Sequence, residues 1–184
     1  LCSLPEKALV GTSVVDEIGT TEASAGWIDD GFSFRQRNVN SFSQENCNFQ
    51  VLDLIEVDWV SGCSLLLKPN AHTLQPRFET ALPLYYEDMD LCIRMKKQKC
   101  PIFWLSAIEI VHKRGEGSKT TSSRRIRLSS CSYIRFLQRH RPSWVVSIRV
   151  IRLLVKNLLL LFLTPVRAIA ALQGCMDAFT NPLV

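Results

Sequence analysis

The densest run of side chains able to do chemistry is "LYYEDMDLCIRM", Leu84 to Met95, where Glu87, Asp88 and Asp90 put three carboxylates within four residues after two tyrosines. A carboxylate in the first turn of a helix is held by backbone amides and kept ionised at neutral pH, the state a general base needs. The same residues have a plainer use, because Asp and Glu are good helix caps and first-turn residues. Asp88-Met89-Asp90 also matches the short D-x-D pattern of metal sites, a weak signal alone. The second candidate is His112, which ends an apolar run and precedes a loop containing Gly115 and Gly117 that could close over a substrate. A histidine at a strand end is more often a satisfied structural residue than a ligand.

The elements that must position these residues follow from local pattern. Glu87 to Lys99 reads as a helix, with acids in its first turn and Lys96, Lys97 and Lys99 in its last, the order the helix dipole favours. "VDWVSGCSLLL", Val57 to Leu67, reads as a strand interrupted at Ser61-Gly62, and a strand glycine marks a bulge or a close approach to the backbone. Lys68-Pro69-Asn70 ends it. After Pro101, "IFWL" and "IEIV" read as two short strands ending at His112. Residues 1–50 are rich in turn formers and read as surface loops with one or two strands; Asp29-Asp30 stands in a Gly-rich turn. The last third is helical: one helix over "RLSSCSYIRFLQRH" ended by Pro142, and a second from Ser143, breakable near Pro165. There is no internal repeat.

With 184 residues, 47% apolar and 21% charged, the chain is one domain or a large piece of one; a disordered tail, a collagen and a small disulfide scaffold are excluded. The net charge of +5 is unevenly spread. Residues 1–116 hold 11 Lys/Arg and 16 Asp/Glu, a balance of −5; residues 117–184 hold 11 Lys/Arg and one acid, Asp177, a balance of +10. Seven scattered cysteines without a C-x-x-C pair point to free thiols in a reducing compartment, and so to the cytoplasm.

The segment from Trp144 to Leu163 is long enough to cross a bilayer but carries Arg149, Arg152 and Lys156, which would be expensive in mid-membrane. At about 100° per residue, these three and Arg167 fall within about 60° of one another, with Asn157 and Thr164 alongside and aliphatic residues elsewhere. A narrow basic stripe on an apolar helix is the design of an interfacial helix lying flat on an anionic membrane surface. The competing reading is a helix buried against its own domain, with the stripe as its solvated face. Nucleic acid is disfavoured as a partner, because the helix lacks the polar and aromatic groups of a phosphate-tracking groove.

"VDWVSGCSLLL", "YYEDMDLCIRM" and "PIFWLSAIEIVHKRGEGS" together, in that order and spacing, resemble the second half of family-two glycosyltransferases, in particular bacterial rhamnosyltransferase-like enzymes of surface polysaccharide synthesis. The resemblance covers roughly residues 50–140. It departs from the family pattern at turns: Lys99-Cys100 replaces a glycine, Ser106 replaces a proline, and Arg77-Phe78-Glu79 stands for Gly-Phe-Asp-Glu.

The resemblance implies an α/β fold, the C-terminal, acceptor-side part of a GT-A (Rossmann-like) domain over residues 1–122, followed by a basic amphipathic helical tail over 123–184. It implies an inverting transfer of sugar from a nucleotide-diphosphate-sugar donor to a glycan or lipid-linked acceptor hydroxyl. Asp88 would be the general base, with Glu87 and Asp90 orienting the acceptor or the base and Arg94 pairing with Asp90. Ser61 and Gly62 would let a sugar approach the backbone, and Trp59 would offer a stacking surface. His112 would complete the coordination of a divalent metal, Mg²⁺ or Mn²⁺, on the diphosphate. The nucleotide-binding strands and main D-x-D ligands are expected in a preceding half. The expected location is peripheral, on the cytoplasmic face of the plasma (inner) membrane. The alternative function is a non-catalytic membrane-surface adaptor whose acidic body binds a protein.

Overall fold

The structure, a computed structural model, describes residues 5–22, 24–28, 36–38, 54–68, 76–113 and 122–180. The chain divides into an α/β unit, Leu1–Phe78 with Asp88–Gly117, and a helical unit, Glu79–Glu87 with Ser118–Val184. This division differs from the expected 1–122 and 123–184 in placing the boundary after Gly117 and in assigning Glu79–Glu87 to the helices.

The α/β unit contains β1 (Ala8–Val15), β2 (Ala25–Ile28), β3 (Gln36–Asn38), β4 (Leu54–Glu56), β5 (Trp59–Val60), β6 (Leu65–Lys68), α1 (Glu87–Lys97) and β7 (Ile102–Val111). One sheet has the order β4-β7-β1-β6, with β1 parallel to β7 and the other pairs antiparallel. The second sheet is antiparallel, in the order β3-β2-β5. Mixed α/β architecture was expected, as were one or two strands within residues 1–50, but on the surface rather than in the core. β1, read as part of a loop-rich stretch, is a central strand with seven of its eight residues buried. A strand covered on both faces loses the alternation that marks half-buried strands. Gly11 is needed where β1 crosses β5, because a Cβ there would collide with the side chain of Val60.

Two further strand expectations are corrected. "VDWVSGCSLLL" is two strands in different sheets, β5 and β6, separated by a turn at residues 61–64. "IFWL" and "IEIV" are a single strand, β7. Its register against β1 jumps from Thr12↔Leu105 to Ser13↔Glu109, so the break in pattern is a bulge, and the Ser13 hydroxyl donates to the Ser106 carbonyl inside it at 3.2 Å.

α1 closes with a left-handed residue. Lys99 has φ 58°, its N–H donates to Lys96 O at 2.9 Å, and Cys100 N–H reaches back to Met95 O at 3.1 Å. These two bonds define a Schellman C-cap, and Met95 and Cys100 supply its buried apolar contact. Lysine therefore occupies the place that glycine takes most readily.

The helical unit contains α2 (Ser122–His140), α3 (Ser143–Leu160) and α4 (Pro165–Thr180). The breaks at Pro142 and near Pro165 fall where the prolines were expected to put them, Pro165 opening α4 at the first helical position. α2 and α4 pack through small side chains, Ala170, Ala171, Gly174, Cys175 and Ala178. A Cβ on Gly174 would run into the Arg127 carbonyl. Arg127 clamps Asp177 through two bonds of 2.6 and 2.8 Å. Val150, Leu153 and Leu154 of α3 pack on Cys131, Ile134, Cys175 and Ala178. Among the described residues no helix is long and apolar enough to cross a membrane.

Candidate active site

Asp88 is the second residue of α1. Its carboxylate accepts two backbone N–H bonds, from Met89 at 2.8 Å to Oδ1 and from Gly62 at 3.2 Å to Oδ2. The first is the helix-terminal donor expected from sequence. The second comes from the turn between β5 and β6, so two segments of the unit aim this carboxylate. Burial raises the Asp88 carboxyl above the ordinary carboxylate range, against the opposing pull of the Gly62 and Met89 amides. The group that approaches Gly62 is thus Asp88 itself, with its Cβ 3.5 Å and the Phe78 ring 3.7 Å from where a Gly62 Cβ would stand.

The turn carrying Gly62 is fastened to the sheet. Ser61 N–H donates to Ser24 O at 2.7 Å, and the Ser61 hydroxyl accepts from Cys63 N–H at 3.3 Å. Buried Ser24 accepts from Val14 N–H at 2.7 Å and donates to Glu22 O at 3.0 Å. Glu22 in turn meets His112, Oε2 to Nδ1, at 3.0 Å, while His112 N–H donates to Val15 O at 2.7 Å. A continuous set of bonds therefore runs from Asp88 through Gly62, Ser61, Ser24 and Glu22 to His112. Its Ser24, Glu22 and His112 end lies at the carboxyl ends of the parallel strands β1 and β7, through Val14 and Val15, while the Gly62 turn stands beside the middle of β1, where Ser64 meets Thr12.

Several expected roles change. Trp59 is 4% exposed, so its ring is a core wall and offers no face for stacking a sugar. Asp90 is completely buried and accepts from Arg94 Nε at 2.7 Å. It cannot reach an acceptor. Arg94 spends its other end on the Arg77 carbonyl at 2.6 Å, so the pair ties α1 to the strand of chain bearing Phe78. Glu87 opens α1 and is half-buried. The Asp29-Asp30 turn and the loop containing Gly115 and Gly117 lie outside the described residues.

The entry into α1 is strained. Tyr85 and Tyr86 have φ of 65° and 67°, a conformation costing about 1–3 kcal/mol for each non-glycine residue. Within the helical unit, α2 holds the segment that ends in them. Arg135 donates to Ala81 O at 2.8 Å, Leu84 N–H donates to the Ser132 hydroxyl at 3.2 Å, and Tyr86 stacks on Phe136 at 5.3 Å. Burial, with Tyr133 nearby, pushes the Tyr86 hydroxyl up to about 12, which makes it a packing residue rather than an acid or base.

The metal expectation rests on His112. Among the described residues no group of three His, Cys, Asp or Glu side chains is placed to hold a metal ion. The Glu22 carboxylate meets His112 Nδ1 at 3.0 Å and so holds the imidazole ring in place, a contact found for structural and for metal-binding histidines alike. Sequence reasoning missed Glu22 and Ser24, and no local signal marks either; Glu22 is 90 residues from its partner.

Thiol chemistry has no foothold in the buried cysteines. Burial pushes Cys92 up to about 12 and Cys175 up to about 11, so both stay as inert thiols at neutral pH. Cys63 is exposed, and none of the five described cysteines is in a disulfide.

Compared with protein-family models, curated proteins and solved structures, the chain matches none of them.

Proposed function

We propose that the chain is the acceptor-side part of an inverting glycosyltransferase, with Asp88 as its general base. The observation that carries this reading is the Asp88 carboxylate, fixed by backbone donors from two segments, the β5–β6 turn and the first turn of α1. An acceptor hydroxyl placed against Asp88 gives its proton to the carboxylate as its oxygen attacks the anomeric carbon. The new C–O bond forms as the bond to the nucleoside diphosphate breaks, and the electron pair leaves with the diphosphate. A group held by fixed amides needs no reorganisation during that transfer, and general bases contribute roughly 10²–10⁴-fold in rate.

The raised carboxyl supports the same role, because a stronger base takes a hydroxyl proton more readily. Asp90 and Arg94 act as positioning residues through α1. His112, oriented by Glu22, would be a single ligand of a divalent cation whose chemistry is to neutralise charge on the diphosphate. A nucleotide-sugar donor and a glycan or lipid-linked acceptor are the partners this chemistry needs.

The test is nucleoside diphosphate release from a panel of nucleotide-sugars, measured on the protein expressed from its full coding sequence, with Asp88→Asn alongside. The expected result is transfer by the parent and a loss of roughly 10²–10⁴-fold in the variant, with its circular dichroism unchanged. Activity within about tenfold of the parent would remove Asp88 from the chemistry. A parent inactive on every donor would instead favour the adaptor reading.

A further inference from the structure

We infer that the exposed face of α3 and the turn leading into α4 dock on the interfacial zone of an anionic lipid bilayer. This surface is separate from Asp88, and its own unit covers only one side of α3. Val150, Leu153 and Leu154 face the core formed with α2 and α4. Asn157 is buried with them and donates to Leu153 O at 2.8 Å, so it does not belong to a solvent-facing polar stripe. The opposite side remains open and is apolar. Ile148, Ile151, Val155, Leu158 and Leu159 are all exposed, and they fall within about 100° of arc.

The turn continues this face: Phe162 is 90% exposed and Leu163 is 78% exposed, followed by exposed Val166 at the start of α4. A helix that only needed a solvated side would carry polar residues there. Exposed aliphatic and aromatic residues in one continuous patch mark an interaction surface.

Charge identifies the partner. Arg152 and Lys156 are exposed along one edge of the apolar arc, and Arg167 is exposed beyond the turn. Between Pro142 and Met176 the chain carries no acidic side chain, and Asp177 is engaged by Arg127. A second copy docking on the same face would bring cation against cation. A surface of anionic lipid satisfies both features, with acyl chains receiving Phe162, Leu163 and Leu159 and phosphates receiving the cations. No described helix can cross the bilayer, so α3, about 27 Å long, lies in its plane.

Vesicle co-sedimentation of the chain tests this, comparing phosphatidylcholine alone with phosphatidylcholine containing about one-third phosphatidylglycerol. The expected result is binding to the anionic vesicles only, weakening as salt rises. Arg152→Gln with Lys156→Gln should weaken it about 30-fold. Phe162→Ser with Leu163→Ser should weaken it about 100-fold or more, and because both side chains are exposed the helical fold should be unchanged. Absence of binding to anionic vesicles would overturn the inference, as would binding indifferent to salt and to both pairs of substitutions. So would a solution dimer broken by Phe162→Ser/Leu163→Ser without any vesicle binding, which would assign the face to a second copy.

Discussion

Arg94→Met should cost the α/β unit about 3 kcal/mol, well beyond what an exposed ion pair could account for. Asp90 has no solvent exposure and its partner's side chain has only 24%, with Nε 2.7 Å from Oδ2. With charge centres about 4 Å apart and an effective dielectric near 20, the attraction is about 4 kcal/mol, comparable with the desolvation both groups suffered on burial. The intact pair is therefore close to neutral, whereas removing one partner strands the other. For a buried pair that loss is about 3–5 kcal/mol, and the partial exposure of Arg94 places it at the lower end. Loss of the Arg94 bond to the Arg77 carbonyl acts in the same direction. Urea denaturation followed by tryptophan fluorescence in a Trp144→Phe background reports on the α/β unit, which holds the other three tryptophans. With an m-value near 2 kcal/mol/M, the midpoint should fall by about 1.5 M. Asp90→Leu combined with Arg94→Met should recover to within about 1 kcal/mol of the parent. A single Arg94→Met penalty below about 1 kcal/mol would refute the reasoning and make the pair a surface contact.

Lys99→Gly should stabilise the same unit by about 0.5–1 kcal/mol: release of the left-handed strain gives about 1–2 kcal/mol, and the extra freedom of glycine in the unfolded chain takes back part of it. An unchanged or lowered urea midpoint would contradict the Schellman assignment. Asp88→Asn should gain stability relative to the parent as pH rises from about 4 to about 7. The sign follows from the raised carboxyl: its contribution is fully present below the unfolded value, where the acid is neutral, and is lost as pH rises through the folded value. Paired urea titrations at the two ends of that range would show the reverse order if the Gly62 and Met89 amides outweighed burial.

What was legible in the sequence was local. α1 showed itself through the order of its charges, Pro142 and Pro165 marked the helix breaks, and the acidic run placed Asp88 in a first turn. The missed features depend on partners far along the chain. β1 hides because it is buried on both faces and Gly11-Thr12-Ser13 interrupts its apolar run. β7 looks like two strands because Ser106 breaks its pattern, yet the Ser13 hydroxyl bonds into the bulge that results. Lys99 carried no sign of a left-handed conformation, since only the bonds to Lys96 and Met95 reveal that the chain must turn there.

The same limit governs the two candidate surfaces. Periodicity showed that α3 is apolar around most of its circumference, but an apolar wheel does not say which side its neighbours cover. Asn157 decides the phase: its burial beside Leu153 and Leu154 puts the core on that side and leaves Ile151, Val155 and Leu159 facing outward. At the acidic run, three carboxylates of similar local standing separate by environment. Asp90 is spent on Arg94, Glu87 opens the helix, and Asp88 is met by the amide of a distant turn. What sets Asp88 apart from a plain first-turn cap is therefore the amide of Gly62, a residue that carries no chemistry of its own, and the proposed base role rests on that contact.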